Sequence, residues 1–183
     1  MIDKTDKEKL SDYISERYCG KKLIEAKIYV VNYKFPFENK GGWQLADAGI
    51  ELRFEDERTF TLCFDREWEL VDFFDKPINE ISAFEGLSIF DQAGNNRWKP
   101  LLNNYLDKID IHWNWYTDFD ENTFYIPQVV ELVFVDSKKL ILAAVGIGVK
   151  EDTIHIYLDS EGEILIGFTE EIQEIIKQEI QSP

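Results

Sequence analysis

Two periods of apolar and polar residues run along this chain, and the switches between them predict where helix gives way to strand. Near the N-terminus Leu10, Tyr13, Ile14 and Tyr18 recur at helical spacing. Thr5 and Glu8 form an S/T-x-x-E capping box ahead of them, and Gly20 suits the C-terminal cap. This predicts an amphipathic helix over 6–19. The segment LIEAKIYVVNYKF, 23–35, is β-branched and aromatic and carries apolar side chains on both faces around Ile28 to Val31. That predicts a central strand covered on both sides. PFENKGG, 36–42, is a turn or loop by its Pro, Asn and Gly content.

IELRF and TFTLCF, separated by EDER, predict a hairpin with Leu52 and Phe54 on one face of the first strand and Phe60, Leu62 and Phe64 on one face of the second. EWELVDFF, 67–74, fits either a strand or the start of a helix. Pro77 can open a short helix through INEISAF, DQAGNN at 91–96 is a loop, and RWKPLLNNYL holds at most a helical turn interrupted at Pro100. Alternation then predicts strands at 106–116, 128–135, 139–147, 153–158 and 163–168, with VDSKK and DSEGE as hairpin turns. Thr169 caps a closing helix, with Glu170 and Glu171 in its first turn and Ile172, Ile175, Ile176 and Ile180 as its apolar stripe.

The segments ELRFEDERTFTL (51–62) and ELVFVDSKKLIL (131–142) share Glu, Leu, Phe, Asp and the final Leu at a constant offset. Both predict strand–turn–strand. The same offset sets Tyr33 against Trp113 and Phe35 against Trp115. The economical reading is a duplicated unit of helix, long strand and hairpin, in half-repeats of about 5–75 and 91–150 within a single globular domain spanning 1–183. The expected class is α+β, mainly antiparallel sheet with N-terminal and C-terminal helices.

Composition narrows the functional classes. The 183 residues are 44% hydrophobic and 14% aromatic, ample for one core, and the formal net charge is −16. Such a surface repels nucleic-acid phosphates and anionic membranes, and it steers toward basic partners. The first residues carry charges and no apolar signal region, no run approaches a membrane span, and Cys19 and Cys63 form no metal or redox spacing. A cytoplasmic protein with two ordinary thiols is expected.

Few residues suggest chemistry. In IDIHWNWYTD, 109–118, alternation places Asp110, His112 and Asn114 on one strand face, where an acid could orient a histidine base. Same-face neighbours on one strand stand about 6–7 Å apart, loose for a direct bond, and Ile109, Ile111, Trp113 and Trp115 make the other face a buried surface. His155 alternates with Ile154 and Ile156 and points away from its strand's core side. DFDEN, 118–122, starts like a calcium loop with Asp118, Asp120 and Asn122, but Thr123 and Val129 stand where Gly and a bidentate Glu are needed. VGIGVK lacks the third glycine of a dinucleotide loop, and no phosphate-loop, zinc-protease or nucleophile-elbow motif occurs. Of the five tryptophans, Trp43 in NKGGWQLADAG is the candidate exposed contact, since glycines flank it and no clear strand contains it. No catalytic residue, metal ligand or cofactor is assigned.

The run from Trp98 to Ala144, with its tryptophan-rich strand, acidic loop and IPQVVELVFVDSKKLILAA, resembles small acidic bacterial proteins, among them immunity proteins of polymorphic toxin systems. The resemblance covers about a quarter of the chain and lies in strand periodicity around aromatics. It implies a cytoplasmic, non-enzymatic protein whose partner is a basic toxin domain. The loop acids Asp118, Asp120 and Glu121 are the expected partner contacts on charge alone. Two other readings stay open: a small-ligand or carbohydrate-binding module using exposed aromatics, and a structural protein that self-associates into a homo-oligomer through a sheet edge.

Overall fold

The computed structural model describes residues 5–31, 38–39, 42–64, 70–81, 87–117, 120–150, 153–159 and 163–181. The chain is α+β, with three helices and mostly antiparallel strand. Helix α1 (Lys7–Tyr18) starts one residue later than the capping box implies. Asp6 is its N-cap, the Oδ1 accepting from the Lys9 N–H at 3.1 Å. The strands are β1 (Leu23–Val31), β2 (Glu38–Asn39), β3 (Trp43–Ala46), β4 (Gly49–Phe54), β5 (Thr59–Phe64) and β6 (Val71–Phe74), then helix α2 (Ile78–Ile81). They continue as β7 (Leu87–Asp91), β8 (Leu106–Thr117), β9 (Thr123–Phe134), β10 (Lys139–Lys150), β11 (Thr153–Leu158) and β12 (Glu163–Gly167), and helix α3 (Glu170–Gln181) closes the chain.

These strands form two sheets, one of order β6-β5-β4-β1-β7 and one of order β2-β3-β12-β10-β9-β8 with β11 on β10. The sheets face each other across one core. Ile28, Leu52 and Leu62 come from the first, Leu132, Leu142 and Ile166 from the second, and Ile14, Tyr18 and Trp98 fill between. Alternation sends the intervening residues outward. Tyr29 and Cys63 meet Ile78 and Ile81 of α2 outside the first sheet. Ile141, Ala143 and Leu165 meet Ile172 and Ile176 of α3 outside the second. β1 is therefore covered on both faces around Ile28–Val31, as its sequence predicts. EWELVDFF resolves to strand over Val71–Phe74.

Besides two strand bounds, β9 beginning at Thr123 and not at 128 and the two-residue β2 falling inside PFENKGG, three readings of the sequence need correction. DSEGE is not a hairpin turn, because β11 and β12 do not pair with each other. Val145 of β10 is register partner to both Leu158 and Glu163, so they run along opposite edges of β10, with β11 taking the edge that β9 leaves at Ala143. Residues 87–91, after the expected helix, form an edge strand on β1. The third concerns the matched segments. The two hairpins do share one turn, with Glu57 and Ser137 at φ 64 and 65 and the Phe54 and Phe134 N–H groups bonding the Arg58 and Lys138 carbonyls at 2.8 Å. The preceding strands, however, match three residues further along. The Gly20 N–H donates to the Leu106 carbonyl and the Asn103 N–H to the Leu23 carbonyl, both at 2.7 Å. The Leu23 and Leu106 N–H groups likewise bond the Asn104 and Lys21 carbonyls. Lys22 and Tyr105 pair across this junction. Trp113 thus corresponds to Val30 and not to Tyr33, which lies with Phe35 outside the described residues. Each half also continues alike: β6 then α2 beside β5, β12 then α3 beside β10.

Among the described residues no helix is long and apolar enough to cross a membrane.

Candidate functional site

The exposed chemistry gathers where the long hairpin of the second half outruns the rest of its sheet. β8 pairs with β9 all the way from Leu106↔Phe134 to Thr117↔Thr123, but β10 pairs with β9 only as far as Val129. Residues 113–117 and 123–127 therefore run on as a two-stranded arm. Its base is marked by a bulge, His112 pairing Val129 and Trp113 pairing Pro127, which leaves Gln128 as the extra residue. The Thr117 and Thr123 hydroxyls meet at 3.1 Å near its tip.

The arm is aromatic. Trp115 pairs with Tyr125, and the Tyr116 and Phe124 rings stand 5.1 Å apart on the other face. Trp113 is held at the arm's root, where its Nε1–H donates to the Ser11 Oγ of α1 at 2.8 Å. Two residues on, the same face has passed the end of the core, and Trp115 is 65% exposed. The Lys7 ammonium lies 5.8 Å from the Tyr125 ring centroid, so this face already accepts a cation against an aromatic. At the tip Asp120 and Glu121 are exposed, with Glu121 at φ 62, while Asp118 lies outside the described residues.

A groove of about 510 Å³ adjoins the arm, between Lys7, Glu8, Ser11 and Asp12 of α1 and Ile111, His112 and Trp113 of β8. His112 is not part of an acid–base pair. Asp110 holds Lys108 at 2.7 Å, and the Asn114 Oδ1 accepts from the Trp115 N–H at 2.9 Å. Partial burial first, and the Lys7 charge second, push the His112 pKa below its ordinary value, which favours the neutral ring. His155 is exposed on β11.

Trp43 is not an exposed contact. It sits in β3, 3% exposed, against Ile172 and Ile176 of α3. The flanking glycine has a packing purpose, since a side chain at Gly42 would strike Thr169. Among the described residues the exposed tryptophan is Trp115, which alternation places on the buried face with Ile109, Ile111 and Trp113 but which the strand carries past the end of the core. Trp98 is fully buried, its Nε1–H donating to the Gln44 Oε1 at 2.8 Å.

A second groove, about 640 Å³, lies between the β9–β10 turn and α3, lined by Arg97, Lys138, Lys139 and Lys177 among others. Its lysines are held by their own carboxylates, Asp136, Glu131 and Glu174, and Arg97 donates to the Trp43 carbonyl at 3.0 Å. That internal pairing leaves little charge for a ligand. Among the described residues no three His, Cys, Asp or Glu side chains gather to hold a metal ion. No family model matches the chain, and no curated protein or solved structure matches it either.

Proposed function

We propose that the protein is a non-enzymatic binding domain that occludes a basic protein partner. Most concretely it is a cytoplasmic immunity-type protein that neutralises a toxin domain. The observation that carries this reading is the β8–β9 arm, which carries Trp115, 65% exposed, beyond the core and ends in Asp120 and Glu121. An exposed tryptophan beside half-buried tyrosines is the composition of an interface anchor, and the surrounding net charge of −16 supplies attraction toward a basic surface.

The test is titration calorimetry against the purified product of the neighbouring coding sequence, with protection from its toxicity as a second readout. Expected is tight association that weakens steeply with added salt. Trp115→Ala should cost at least about 2 kcal/mol of binding, as anchor residues do. The charge reversals Asp120→Lys and Glu121→Lys should slow association. A basic neighbour that neither binds nor is neutralised sinks the reading. A second reading has one observation behind it: Trp115 and Tyr125 stand side by side, as a sugar-binding platform requires. Binding to an oligosaccharide panel that Trp115→Ala abolishes, with no protein partner bound, would favour it.

A further inference from the structure

The two halves differ at the outer edge of their matched long strands. In the first half β1 is flanked on both sides, by β4 and by β7, with Ile28 opposite Phe90 and Val30 opposite Ser88. In the second half the corresponding strand, β8, has β9 on one side and, among the described residues, no strand on the other. The correspondence fixes which residues present that edge. The Gly20–Leu106 and Asn103–Leu23 bonds equate Leu23 with Leu106, so Ala26, Ile28 and Val30 become Ile109, Ile111 and Trp113. Ala26 uses its carbonyl on this edge, accepting from the Gln92 N–H at 3.0 Å. Ile109 uses its N–H on the same edge, donating to the Cys19 thiol at the end of α1. Beyond it a groove opens between α1 and the strand, bridged by the Trp113–Ser11 bond and lined by Ile111 and Trp113, the two residues whose counterparts bond β7.

We propose that this edge receives an extended segment of the basic partner, added antiparallel to β8 over Asp110–Asn114 as β7 is added to β1. The inference rests on the partner-binding reading above and names how the partner is gripped. An added strand supplies main-chain bonds to Ile111 and Trp113, and its alternate side chains choose the sequence. Those facing inward meet the Ile111 and Trp113 side chains, so they are apolar. The flanking charged groups are Glu8, Asp12 and Asp110, against Lys7, Lys108 and a neutral-favouring His112. In a chain this acidic they suit Lys or Arg at the other positions. The exposed aromatic arm lies directly beyond the groove, so a strand seated there leads onto Trp115.

The experiment titrates three eight-residue peptides into the full-length ¹⁵N-labelled protein: alternating Ile and Lys, alternating Ile and Glu, and the Ile–Lys peptide N-methylated at alternate residues. The Ile–Lys peptide should bind, move the Ile111 and Trp113 amide signals and slow their hydrogen exchange. N-methylation removes main-chain donors without changing charge, and it should weaken binding about tenfold or more. The Ile–Glu peptide should weaken it similarly, through charge. Equal binding of the N-methylated peptide, or signal changes confined to other surfaces, overturns the proposal. So does sedimentation showing that a second copy of the chain already occupies the edge, with Ile111 protected in its absence of peptide. A partner protein whose binding needs Trp115 yet leaves Ile111 and Trp113 exchanging freely overturns the strand addition while leaving the partner-binding reading intact.

Discussion

Tyr18 shows how much a single side chain holds here. It ends α1, lies fully buried among Phe54, Phe60 and Phe73, and donates its hydroxyl to the Thr59 carbonyl at 2.6 Å. Tyr18→Phe keeps the ring and orphans that buried carbonyl, so it should cost about 1–3 kcal/mol, read as a lower urea midpoint with unchanged slope. Glu163 is the opposite case, a carboxylate the fold tolerates at a cost. Burial first and the nearby Asp47 second raise its pKa. Its folded pKa thus exceeds the unfolded one, so its favourable contribution is full below the ordinary carboxylate range and is lost as pH rises through the raised value. Glu163→Gln should therefore be more stable than the parent at pH 7, with the gap closing toward pH 4, a difference that melting temperatures across that range will register. At this scale the sequence was legible where a residue belonged to a periodic pattern and misleading where it did not. Trp43, among glycines, looked like a loop residue because its partner on β12, Gly167, lies over a hundred positions away.

At the scale of elements, alternation carried most of the information. The strands from 106 onward, both long hairpins, and the stripe of α3 follow from period, since each buries one face against a partner of its own kind, except that β9 begins at Thr123 and not at 128 and β10 runs on to Lys150. Two elements escaped it for physical reasons. β7 is a five-residue edge strand with Ile89 57% exposed, so it lacks a buried alternation and is defined by pairing with β1. DSEGE has the composition of a hairpin turn, but composition sets only the local bend, and the long β10 separates the strands it joins. The two matched hairpin turns yield a prediction of their own. Ser137 sits at φ 65, in the left-handed region where three-residue hairpin loops favour glycine. Ser137→Gly should stabilise the fold by about 0.5–1 kcal/mol, measured by chemical denaturation. Glu57 occupies the same position but its carboxylate also holds Arg53 at 2.9 Å, so Glu57→Gly should gain less.

For the whole molecule, the sandwich of two sheets with α2 and α3 on its outer faces could not be read from the chain. Which strands share a sheet depends on pairings such as β3 with β12, which no local pattern encodes. The internal match was partly legible: the hairpin repeat stood out because its turn chemistry is local. The three-residue difference in the preceding strands shows only in the hydrogen bonds across the Lys22–Tyr105 junction. That architecture separates stability from recognition. Removing Trp98 from the core should cost about 3–5 kcal/mol, whereas Trp115→Ala should leave the unfolding midpoint nearly unchanged, since its ring is mostly in water. Paired denaturation curves of the two variants test this directly.

The same contrast gives the molecule a built-in optical reporter. Of the four tryptophans described, Trp43 and Trp98 are sealed in the interior and Trp113 is half-covered, so Trp115 is the one most open to a dissolved quencher. In a Trp68→Phe background, iodide or acrylamide should darken the red-shifted part of the emission first and leave a blue-shifted remainder from the interior indoles. Anything that settles on the arm should shield that fraction, so docking can be followed without attaching a label.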